Sequence, residues 1–261
     1  MKHQQHLIIG MALLGTVLSS CRKEITLDLG NESNKVVIEA IVSEGNGPQT
    51  VRLTRSVAFE ASNAFPAISN ATVVLSDDQG SSALLTETSP GFYSTDSIVG
   101  SVGRTYHLNV QVDGTTYAAE CRMPVAVHMD TLMVDSFPAF GVDTRIIVPG
   151  YIDPAGMANY YRFTVVVNGE KQAGLSLESD RFTDGNLVLQ PLFMSGLEPE
   201  SGDVVEVTMQ CIAPEVYDYF FSMMQNVDNA ATPADPVSNI SGGALGYFSA
   251  QTTSTRSVTV P

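Results

Sequence analysis

The sequence predicts an all-β protein built as two β-sandwich, immunoglobulin-like domains in tandem, with one short amphipathic helix in the second. Three observations predict it. Short runs rich in β-branched and aromatic residues recur beyond residue 34, several with alternating polarity. Turn signals separate them about every 8–12 residues, the pattern of such sandwiches. One stretch alone, "APEVYDYFFSMMQNVDN" (213–229), places apolar residues at helical spacing instead.

Taken in order, "KVVIEAIVS" (35–43) and "QTVRLTRS" (49–56) open the first set, the latter alternating Val51 and Leu53 with Arg52 and Thr54. "ATVVLSD" (71–77) leads through Asp78-Gln79-Gly80, a turn, into "SALLTET" (82–88). "GFYST" follows Pro90-Gly91. "RTYHLNVQV" (104–112) puts Tyr106, Leu108, Val110 and Val112 on one face, and Asp113-Gly114 is a two-residue hairpin signal before "TTYAAECRM". The first domain is expected over 35–124, although it has no tryptophan and lacks the paired cysteines of antibody domains.

"MPVAV" (123–127) reads as the link to a second domain at 125–261. Its strands are expected in "HMDTLMVDS" (128–136), "TRIIVPGYID" (144–153), "NYYRFTVVV" (159–167), "NLVLQPLF" (186–193), "DVVEVTMQCI" (203–212) and a terminal "RSVTV". Asn168-Gly169 is a second hairpin turn. The helix is expected over about 214–227, with Pro214 in the first turn and Val216, Phe220, Met223 and Val227 on the face packed against the second sheet.

The N-terminus says where the chain goes. "LIIGMALLGTVL" (7–18) would rise about 18 Å as a helix, too short for a bilayer core of about 30 Å, and matches the apolar region of a secretory signal. Leu18-Ser19-Ser20-Cys21 then resembles the bacterial lipobox, in which the cysteine thiol receives a diacylglyceryl group and cleavage leaves that cysteine first. Residues 1–20 are thus expected to be a lipoprotein signal, Cys21 the lipidation site, and 21–34 a tether. Two or more acyl chains give a stable anchor where one is marginal. The formal net charge of −15 and the lack of any basic run argue against nucleic acid as a partner.

Candidate chemistry is sparse. Cys121 and Cys211 are either a disulfide, closing a loop worth about 4–5 kcal/mol in the chain-entropy model, or two separate buried thiols. Neither has a cysteine or histidine at metal-ligand spacing. His107 lies on the polar face of its strand, and His128 has no sequence partner that would make it a base. No G-x-S-x-G, H-E-x-x-H, phosphate-loop or EF-hand motif is present, and no catalytic residue, cofactor or metal is assigned. Asp77-Asp78 occupies a hairpin turn, where Asp is expected for backbone reasons. Asp180, Asp184 and Gly185 in "ESDRFTDGN" form either a turn or a cation-binding loop. The glycine-rich "SNISGGALGYFSA" (238–250) is either a partner-docking loop, carried by Asn239, Gly242, Gly243, Tyr247 and Phe248, or an irregular segment that buries Leu245, Tyr247 and Phe248.

The order of "TVRLTRS", the "ATVVLSDD" hairpin, "GRTYHLNVQVDGTTYAAECRMP", "DVVEVTMQCIAPEVYDYF" and "PVSNISGGALGYF" resembles the DUF4249 family of Bacteroidetes outer-membrane lipoproteins over essentially the whole chain. The resemblance implies a β-rich lipoprotein, commonly encoded near TonB-dependent receptors, and supplies no catalytic residues. The expected function is therefore a non-enzymatic accessory or ligand-capturing partner of a TonB-dependent transporter, lipid-anchored in the outer membrane at the cell surface or its periplasmic face. The alternative is an adhesin or fimbria-like subunit that assembles by strand donation.

Overall fold

The computed structural model describes residues 34–57, 64–139, 142–228 and 235–261, so the expected signal, Cys21 and the part of the expected tether before Asn34 lie outside the described residues. Strand alternation builds the first layers. In β1 (Val36–Ser43) Val36, Ile38, Ala40 and Val42 are buried, while Glu39 faces out and pairs with Arg52 of β2 (Gln49–Arg55) at 3.2 Å. β6 (Phe92–Thr95) and β5 (Thr86–Ser89) extend this sheet beyond β2. Facing it is a four-stranded sheet in the order β4 (Ser82–Leu84), β3 (Thr72–Asp77), β7 (Thr105–Val112), β8 (Thr115–Arg122). The expected single strand at 82–88 is split at buried Leu85, where the chain leaves one sheet for the other.

The second set repeats the plan. β9 (Met129–Ala139), β10 (Val142–Ile152) and β14 (Leu187–Leu189) form a three-stranded sheet. Ile147 and Tyr151 point inward from it, toward Tyr161, Phe163 and Val165 of β11 (Tyr160–Val167) and Val205, Val207 and Met209 of β15 (Val204–Cys211). Two short strands flank β11: β12 (Glu170–Lys171) and β13 (Ser176–Ser179). Both sequence-read hairpins carry left-handed residues at their two central positions, with φ of 50° and 81° at Asp113-Gly114 and 50° and 86° at Asn168-Gly169.

The last strand joins the two halves. β16 (Leu245–Thr259) runs parallel to β1 from Leu245 to Gln251, then antiparallel to β15 from Thr252 to Thr259. One nine-stranded sheet results, with the path β12-β11-β15-β16-β1-β2-β6-β5 and β13 beside β11. Buried apolar residues up to Met123 line one core and those of the second core run from Val127 to Cys211, while Tyr160, Leu175 and Leu177 pack on the first core, Phe248 and Ala250 lie in it, and Val260 lies in the second. The expectation of an irregular crossing at 238–250 followed by a separate terminal strand is thus corrected from Leu245 onward. The sequence hid the strand because Gly246–Thr252 is buried on both faces, which abolishes polar alternation.

Helix α1 (Pro214–Asp228) covers the outer face of this junction. Its start matches the sequence reading; its packing partner does not. Val216 and Phe220 bury with the first core, and α1 lies over β16, β11 and β13 rather than on the second sheet alone. The rings of Tyr219 and Phe220 lie 5.2 and 4.8 Å from that of Tyr247, and the Arg162 guanidinium sits 4.1 Å from the centre of the Phe220 ring. Met223 is partly exposed, and the side chain of Val227 lies outside the described residues.

Candidate functional site

Two features meet at one end of the three-stranded sheet. The first is acidic. Asp153 follows β10 directly, Asp180 opens a short 3-10 turn after β13, and Asp184 lies just before β14. Pairing of β10 with β14 places Ile152 opposite Leu187, and the Asp153 amide donates to the Asn186 carbonyl at 3.0 Å. That pairing folds the 180–186 loop against the end of β10, so one carboxylate oxygen from each aspartate lies within 4.8 Å of the others.

The three carboxylates are held differently. Asp180 Oδ2 accepts from the Asn159 amide at 2.8 Å, and Asp184 Oδ1 accepts from the Gly156 amide at 2.7 Å. These two bonds pin the 154–159 loop to the 3-10 turn. The Asn159 side chain stiffens that loop by donating to the Met157 carbonyl at 2.9 Å. Asp153 is 1% exposed; its Oδ1 accepts from the Tyr161 hydroxyl, and its Oδ2 has no hydrogen-bond partner. Burial pushes the Asp153 carboxyl above its ordinary range; the Tyr161 hydroxyl opposes the shift, and Asp180 and Asp184 add to it. An all-oxygen set of three carboxylates has the chemistry of a hard-cation site.

The second feature is apolar. The outward side of the β14-β10-β9 sheet carries Met133 beside Val148, Leu189 over Gly150, and Ile152 beside Leu187. Met133, Ile152, Leu187 and Leu189 are 41–62% exposed. Phe182, between the two loop aspartates, is 88% exposed. Around the corner, a cavity of about 300 Å³ opens along β10, lined by Thr144, Arg145, Ile147, Leu192, Phe193 and Met194.

A third arrangement was not foreseen from sequence. Ser76, His107 and Glu120 are register partners across β3, β7 and β8 and stand in one row on an open sheet face. His107 Nδ1 lies 3.6 Å from Glu120 Oε2, but no hydrogen bond joins Ser76 to His107. Without that contact the serine has no base to take its proton, and the row reads as a polar stripe.

A family model described as "Domain of unknown function (DUF4249)" matches residues 22–257. The chain belongs to this family. No match was found among curated proteins. Membership of DUF4249 assigns no chemistry, so the site is read from its geometry.

In this DUF4249 chain the candidate disulfide is not formed. Cys121 and Cys211 are buried free thiols, one in each core. Cys121 Sγ accepts from the Ala250 amide at 3.2 Å, and Cys211 Sγ from the Val127 amide at 3.4 Å. Cys121 lies on β8 of the four-stranded sheet and Cys211 on β15 of the nine-stranded one, which keeps them on separate partners. The docking-loop reading of 238–250 fails for its aromatic pair: Phe248 is 0% exposed and Tyr247 is covered by α1. Asn239 holds the Phe248 backbone from both sides, donating to its carbonyl and accepting from its amide at 2.8 and 2.9 Å. Gly242 and Gly243 are exposed in left-handed conformations, and a Cβ on Gly242 would meet the Thr116 carbonyl at 2.8 Å. Asp77 is structural: it accepts from the Gln79 and Ser81 amides at 2.9 Å each and pairs with Arg104. Of the cation-loop candidates, Asp180 and Asp184 do come together. The third carboxylate, Asp153, gave no local signal, because only strand pairing brings it there.

Proposed function

We propose that this protein is a lipid-anchored, non-enzymatic outer-membrane protein that docks on, or hands ligand to, a TonB-dependent transporter. The observation that carries the reading is the uncharged outward strip of Met133, Ile152, Leu187 and Leu189. An apolar strip left open on a chain of formal charge −15 is the kind of surface a protein partner covers. The neighbouring cavity of about 300 Å³ is at the small end of ligand pockets and suits capture of a small molecule. The signal and Cys21 supply the anchor that would hold such a partner at the membrane.

The test is recovery of the lipidated protein from its native membrane in mild detergent, with co-purifying proteins identified by mass spectrometry. A stoichiometric TonB-dependent transporter is expected. Recovery with copies of itself alone would overturn the reading in favour of a self-assembling surface subunit.

A further inference from the structure

We propose that Asp153, Asp180 and Asp184 hold a calcium ion. The ligand atoms already converge within 4.8 Å, a span that calcium–oxygen distances of about 2.3–2.6 Å accommodate across one ion. Acidic residues cluster on many surfaces without binding anything. Here a second observation points to a ligand: Asp153 is 1% exposed and its Oδ2 is unpartnered. A carboxylate oxygen buried without a donor costs free energy that a bound cation would remove. The Gly185 amide is directed at the Asp153 carboxylate, yet Oδ2 keeps no hydrogen-bond partner.

The environment favours calcium over magnesium. Three carboxylates serve a large, flexible oxygen shell, whereas magnesium keeps several waters and takes one or two protein carboxylates. Tyr161 orients Asp153 from behind by donating to Oδ1, and the Asn159 and Gly156 amides do the same for Asp180 and Asp184. The other oxygen of each is thereby left for an ion. Bound calcium would tie the 154–159 and 180–186 loops to the end of β10. This inference does not depend on the identity of any protein partner.

Terbium tests it with the full chain in mild detergent. The sequence has no tryptophan, so terbium emission must be sensitised by tyrosine, and the Tyr161 hydroxyl is bonded to Asp153. Wild type is expected to show tyrosine-sensitised emission that micromolar to millimolar calcium displaces and magnesium displaces at least about 10-fold less well. Calcium should raise Tm by a few degrees, reversed by chelator. The exposed-side double variant Asp180→Asn/Asp184→Asn keeps acceptors for both loop amides, so it should fold; it should lose the calcium-dependent Tm rise and bind terbium at least about 10-fold more weakly. Asp153→Asn should lose the same signals. A control pair, Glu198→Gln/Glu200→Gln, should bind as wild type does. The proposal is overturned if wild type shows no calcium effect at 10 mM, if the double variant binds undiminished, or if the control pair loses as much.

Discussion

Gly246 of β16 and Ile38 of β1 are partners in the parallel ladder, and a Cβ on Gly246 would stand 2.0 Å from the Ile38 carbonyl oxygen. The glycine also sits at φ 101°. No flexible side chain can yield at this contact, because the obstacle is backbone within a central strand. Gly246→Ala should therefore destabilise the fold by about 3 kcal/mol or more, read from the urea midpoint. Since β16 contributes to both cores, fluorescence and circular dichroism should report one lowered transition. A loss under about 1 kcal/mol would mean that β16 does not take this path.

The two core thiols should behave as hydrophobes. Burial pushes the Cys121 thiol up to about 12 and the Cys211 thiol upward as well, so neither offers thiolate at neutral pH. Peptide mapping after alkylation should show both unlabelled in the native protein and both labelled in denaturant without reductant. A peptide linking Cys121 to Cys211 would contradict the two-core arrangement.

Asp77 anchors the β3–β4 turn. Its burial works to raise the carboxyl pKa, but the Ser81 and Gln79 amides and the Arg104 guanidinium outweigh that and hold it below the ordinary value of 3.8. A depressed folded-state value contributes stability above the unfolded value, lost as pH falls through the folded one. Asp77→Ala should cost about 2–4 kcal/mol at pH 7, by leaving turn amides and a guanidinium without their acceptor. The gap between variant and wild type should shrink as the pH drops well below 3.8. An unchanged gap at low pH would show that the loss is packing alone.

The outward strip makes a separable prediction. Met133 and Leu189 are 41% and 50% exposed, so Met133→Lys/Leu189→Lys should change folding stability by less than about 1 kcal/mol. The same variant should lose the transporter in the detergent pull-down. Undiminished recovery with intact folding would remove this face from the docking reading.

Much of the local structure was legible because its causes are local. Alternation in "QTVRLTRS" and "RTYHLNVQV" marks strands whose odd and even residues meet different environments. Asp-Gly and Asn-Gly mark left-handed turns, and Pro214 marks a helix start. Where burial is two-sided, as around Gly246–Thr252, the alternation vanishes and the strand became invisible with it.

By itself, the sequence determined the all-β class, most strand positions, the hairpin turns and helix α1, since each follows from side-chain periodicity or backbone preference within about ten residues. Only the tertiary structure decided that β16 joins both halves into one sheet, that α1 covers that junction, that the two thiols lie in separate cores, and that Asp153 meets Asp180 and Asp184. Those outcomes depend on pairing between distant segments, such as Ile38 with Gly246 and Ile152 with Leu187, and burial and register across such distances are properties of the assembled sheet rather than of any window of residues.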